Sequence, residues 1–159
     1  MVTALRASRT ELLDAVARLG AAASMVSVTE AGGWTARDVV AHLVHYAGQI
    51  AFGLGAPLTP PRYVLDVTER LSPEEWNERA VAYWRDHSLD DVLAEFVAVT
   101  DHVIERASVR SDEEMANADL IAWAPSIPLW KFIGGDTFLH EWPEHTKQIV
   151  AAVRDVQDE

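Results

Sequence analysis

The sequence contains no cysteine. No disulfide can staple the chain, so stability must come from a packed core, and the composition suits a reducing cytoplasm, the expected location. With 159 residues the chain can build such a core, since a chain of that size buries about two thirds of its unfolded surface. Positive charge is scarce. Lys and Arg total 13 against 25 Asp and Glu, a net charge of −12, and the 13 are scattered. A phosphate-binding surface needs them clustered, so nucleic acid is excluded as a partner. No window approaches the ~18 apolar residues that span a bilayer, so no membrane partner is expected. Arg6, Arg9 and Glu11 interrupt the start of the chain, which therefore lacks the apolar stretch of a signal peptide. Period-two alternation and Asn-Gly or Asp-Gly hairpin pairs are absent, which predicts almost no strand. Internal repeats and low-complexity tracts are also missing, and residues 1–159 read as a single domain.

What remains is helical. From Thr3 to about Ala22, apolar residues recur at Leu5, Leu12, Val16 and Leu19. Thr35-Ala36-Arg37-Asp38 forms a capping box, and Trp34 can staple onto Val39 across the first turn. The stripe Val39, Leu43, Tyr46, Ile50 shares one face of that second helix, which Gly53 and Gly55 end before a loop at Pro57–Pro61. Ser72-Pro73-Glu74-Glu75 opens a helix to about Asp86, with Ser as N-cap and Pro at the first helical position. Ser88-Leu89-Asp90-Asp91 opens another to about Ala107, striped by Val92, Phe96, Val99 and Val103. Ser108 to Glu114 reads as polar loop. Pro125 and Pro128 break Ala116–Trp130 into a connector that packs Trp123 and Trp130. The last helix is expected from about Leu129 to Val156. The sum is an all-α four-helix bundle with one extra short helix, and the long connections at 54–71 and 108–126 are candidate crossovers.

Of six histidines, three stand out. His42 sits in mid-helix on the flank of the buried stripe, and His140 and His145 lie within the last helix, with Glu141 between them. Imidazole ligates Zn, Ni and Fe, and bundles build metal sites from side chains on facing helices. The competing reading is a set of interfacial histidines bonded to their neighbours. Glu141 and His145, four apart, share a face. His140 and His145, five apart, diverge by about 140° on a regular helix. Pro143 between them forces a kink or a bulge, and a π-type bulge would align the two histidines. Two ligand sets therefore compete, His42/His140/His145 and His42/Glu141/His145. Tyr46, one turn from His42, could donate a proton or orient a substrate, or simply belong to the core. The nucleophile-elbow, P-loop and HExxH signatures are absent.

Gly33-Trp34-Thr35-Ala36-Arg37-Asp38-Val39-Val40-Ala41-His42-Leu43 resembles the start of helix two in the DinB/YfiT-like helical bundles. Gly135 to His140 with Glu144-His145, and Trp76-Asn77 through Ser88 to Leu93, resemble the ClbS/DfsB-like subgroup. The resemblance spans about residues 3 to 150. It implies a bundle, often dimeric, with three histidines on a divalent metal, one from helix two and two from the last helix. Carried over, these are His42, His140 and His145, although the family spaces the last two four apart and this chain inserts one residue and a proline. The resemblance also implies a small-molecule substrate. The leading expectation is a metal-assisted hydrolase or a thiol-dependent transferase using Zn, Ni or Fe, with Glu141 and Tyr46 as catalytic candidates. The alternatives are a metal-free protein that sequesters a small molecule, and a structural homodimer.

Overall fold

The computed structural model describes residues 1–29, 33–56, 72–118, 126–135 and 138–157. The elements are α1 (Val2–Leu19), a 3₁₀ turn (Gly20–Ser24), α2 (Ala36–Gly53), α3 (Pro73–Trp84), α4 (Leu89–Ser108), α5 (Asp112–Ala116), α6 (Leu129–Gly134) and α7 (Phe138–Gln157). Among the described residues the only β pairing is an isolated bridge between Ser27 and Thr35. Among the described residues no helix is long and apolar enough to cross a membrane. The Pro57–Pro61 loop and Trp123 lie outside the described residues.

Local chemistry sets the helix starts. Thr35, Ser72 and Ser88 each accept a bond from the backbone N–H three residues on, and the side chain of Asp38, Glu75 or Asp91 accepts from the cap residue's own N–H. Each reciprocal pair satisfies two backbone donors that the helix leaves open. The apolar stripes do the rest. Leu5, Leu12, Val16 and Leu19 of α1, Val39, Leu43 and Ile50 of α2, and Val92, Phe96, Val99 and Val103 of α4 are all buried in one core. α1 packs mainly on α7 and α2 mainly on α4, with slighter α1–α4 and α2–α7 contacts closing the ring. The short α3 lies against α2.

Four expectations need correction. The segment 108–114 is not all loop, because Ser111 and Glu114 form a fourth capping box that opens α5. The final helix is not one run from Leu129. It breaks after Gly134, where a Cβ on Gly135 would sit 2.7 Å from the Lys131 carbonyl oxygen. That close approach admits only glycine, and the chain turns there before α7 begins. Trp130, expected to pack, is 50% exposed. Pro143 does not interrupt α7, which stays α-helical through it without a π segment.

Candidate metal centre

The slight contact between α2 and α7 leaves a cavity of about 310 Å³ between them. Its wall includes Trp34, His42, Leu43 and Tyr46 from the α2 side, Pro73 and Asn77 from α3, and Phe138, Glu141, Trp142 and His145 from α7. One ligand atom each from His42, Glu141 and His145 lie within 4.8 Å of one another. The regular α7 backbone brings one of the two candidate ligand sets together. With no bulge at Pro143, the four-residue step from Glu141 to His145 keeps both on the cavity face, and Glu141 Oε2 lies 3.4 Å from His145 Nε2. His140 is turned outward, its side chain 68% exposed, with Glu141 Oε1 3.8 Å from its Nδ1. Of the sequence candidates, His42, Glu141, His145 and Tyr46 converge, and His140 does not.

The protonation states suit a cation. His42 is buried, and burial, reinforced by His145, pushes its imidazole down to about 4 although Glu141 and Asn77 oppose this. It is therefore neutral at pH 7 and has a lone pair to offer. His145 beside it holds the Glu141 carboxyl below its ordinary range, with His42 and His140 adding to the effect against the cost of burial. It is therefore ionised. Gln148 orients the His145 ring, with His145 Nδ1 2.9 Å from Gln148 Oε1. His145 Nε2 is buried and faces Glu141 Oε2 at 3.4 Å, and His42 Nδ1 is buried without a hydrogen-bond partner. A metal ion at this point would engage all three side chains. The residues present fit a divalent ion.

Sequence reasoning missed two contributors. Gln148 is an i+3 polar neighbour of His145, a spacing that was readable. Asn77 reaches the cavity only because α3 packs on α2, and nothing local marked it. Tyr46 Oη donates to Asn77 Oδ1 at 3.1 Å, and burial with the nearby carboxylates of Glu141 and Glu74 raises its phenol above the ordinary range. A wider groove of about 930 Å³ meets the cavity at Trp34, Asn77 and His145, and continues past Ser27, Thr29 and Gln148.

His45 lies outside the cavity wall, buried, 2.9 Å from the Gln49 amide and against Trp76 at 5.7 Å between ring centres. Burial pushes it down to about 4, like His42. In the unfolded chain both titrate near 6.5. Below that pH the unfolded state takes up protons that the folded state refuses, so stability is complete above about 6.5 and is lost as the pH falls toward 4. The urea midpoint of metal-free protein should decline steadily from pH 7 to 4.5. A midpoint constant over that window would show that these histidines are not buried as neutral rings.

Residues 5–142, most of the chain, match the family described as "Mycothiol maleylpyruvate isomerase N-terminal domain". Glu141 lies inside the matched segment and His145 just beyond it. No curated protein and no solved structure matches the chain. The finer ClbS/DfsB assignment forms no part of the family match. With its helical architecture and this match, the chain belongs to the mycothiol maleylpyruvate isomerase N-terminal domain family, within the DinB/YfiT-like helical superfamily.

Proposed function

We propose that the chain holds one divalent metal ion on His42, Glu141 and His145 and acts as a transferase or isomerase that uses a small thiol on a small-molecule substrate. The observation that carries this reading is the convergence of three ligand atoms within 4.8 Å at the wall of an otherwise largely aromatic cavity. Two histidines and a carboxylate suit Zn in a catalytic site or Fe(II) in a facial site, and Ni also takes imidazole. When bound, such an ion would hold a coordinated thiol as its thiolate at neutral pH. The family's printed description supports the choice of a thiol over water, and so a transferase over a hydrolase.

The chain's own residues prepare that chemistry. His42 presents a neutral imidazole, so a metal displaces no proton from it near pH 7. Glu141 supplies one negative charge, which leaves part of the metal's charge to stabilise an anionic sulfur. Gln148 holds the His145 ring in place. Trp34, Phe138 and Trp142 shield the cavity from bulk water, which strengthens charge interactions inside it. The adjoining groove gives the polar body of a thiol room to lie outside while its sulfur enters.

Cobalt(II) provides the test. Cobalt-loaded protein titrated with ethanethiol is expected to develop a sulfur-to-cobalt charge-transfer band in the near ultraviolet, and His145→Ala to lack it. Cobalt uptake with no such band at saturating thiol would overturn the thiol reading and return the hydrolase to first place.

A further inference from the structure

We infer that Asn77 is a substrate-recognition residue, oriented by Tyr46, whose amide group donates a hydrogen bond to a carbonyl-type oxygen of the small molecule held in the cavity. This deepens the proposed metal-dependent function and rests on it.

The inference starts from the cavity's donors. Lys and Arg are absent from its lining, so it holds no side-chain cation for a substrate anion. Leu43, Pro73 and Phe138 have no polar side-chain atom, and the indole N–H groups of Trp34 and Trp142 are the other neutral donors of the lining, that of Trp142 buried without a partner. His42, Glu141 and His145 are engaged with one another as a ligand set. Tyr46 is half-buried and its hydroxyl hydrogen is committed to Asn77 Oδ1. That bond fixes which end of the carboxamide faces which way, because Oδ1 accepts from Tyr46 and the NH₂ end is turned from it. Asn77 also interacts with His42, where it favours the protonated ring as an accepting oxygen does, and its side chain lines both the cavity and the groove. A half-buried amide with two hydrogens to give, beside three metal-ligand candidates, matches a neutral oxygen rather than a second cation or a bare hydrocarbon. An oxyanion or carbonyl is recognised by preplaced neutral donors of this kind.

The arrangement also explains Tyr46. Its hydroxyl lies 3.1 Å from Asn77 Oδ1. It therefore donates to Asn77 rather than acting as a base, and its role is to position the amide. The sequence offered Tyr46 itself as the substrate-facing group. The hydrogen bond moves that contact to Asn77, on a different helix.

The test uses cobalt-loaded full chain and two probes. Acetohydroxamate binds the metal through oxygen and offers a carbonyl-type acceptor. Ethanethiol binds through sulfur and offers none. Asn77→Ala is expected to weaken acetohydroxamate about tenfold, as a lost hydrogen bond does, with ethanethiol unchanged within about twofold. Asn77→Asp keeps the acceptor for Tyr46 and loses the donor, so acetohydroxamate should weaken relative to ethanethiol by at least as much. Tyr46→Phe should shift the same ratio in the same direction by a smaller factor. Equal weakening of both probes would mark Asn77 as structural and overturn the inference, as would no change in either. Failure of wild-type protein to take up cobalt would instead remove the metal reading, and the inference with it.

Discussion

His145→Ala and His42→Ala are each expected to weaken divalent-metal binding by more than about 100-fold, while His140→Ala leaves it within twofold. Changes to residues outside the ligand shell cost about 10–100-fold, and loss of one of three ligands should exceed that. His145 is the stronger case. It is 12% exposed at the side chain, and its Nε2 faces Glu141 Oε2 at 3.4 Å with Gln148 holding the opposite nitrogen. Removing the ring removes a ligand and leaves Glu141 without its closest partner. Glu141→Gln tests the carboxylate with almost no change of shape, and should match the histidine losses because it deletes the only negative charge in the set. Gln148→Ala should fall in the outer-shell range, since it frees the His145 ring without removing a ligand. His140 is the discriminating control, with its side chain 68% exposed. Competition titration with a chelating dye reads all five variants. If His140→Ala lost the metal and Glu141→Gln kept it, α7 would have to bulge at Pro143 in the metal-bound protein, and the ligand set described here would be wrong.

Trp142→Ala is expected to have the largest effect on stability, about 3–5 kcal/mol as for buried large aromatics. Trp142 is fully buried, stacked on Phe138 at 4.7 Å and edge-on to Phe96 at 5.4 Å. It ties α7 to α4 and also forms one wall of the cavity between Glu141 and His145. Truncation leaves a void inside the core that the neighbouring rings fill only in part. For a chain of this size the melting temperature should fall by roughly 2–4 °C per kcal/mol. Trp130→Ala is the companion measurement. That side chain is half exposed, and its loss should stay near 0.5 kcal/mol, as for surface substitutions. Urea unfolding followed by helical circular dichroism gives both numbers. Similar costs for the two tryptophans would mean that the core is not organised around Trp142.

Features that depend on neighbours along the chain were legible in the sequence. The boxes at Thr35, Ser72 and Ser88 place three helix starts to the residue, because their partners lie only three positions away. The box at Ser111 obeys the same rule and was obscured by the polar run around it. The break after Gly134 was not legible as a break, since the crowding of Gly135 against the Lys131 carbonyl exists only once the turn is formed. In the site, spacing paired Glu141 with His145, but the proline allowed two backbones, and spacing alone could not choose between them. The α-helical path of α7 places Glu141, rather than His140, beside His145. Asn77 was illegible for a stronger reason. It enters the cavity through the packing of α3 on α2, a tertiary contact with no periodic or spacing signature.

The central claim is that His42, Glu141 and His145 together hold one metal ion. Equilibrium dialysis of the purified chain against zinc, followed by elemental analysis, tests it most directly. The account predicts one equivalent of zinc per chain in wild-type protein and in His140→Ala, and none in His145→Ala. Wild-type protein that retains no zinc, or His145→Ala that retains a full equivalent, would contradict it.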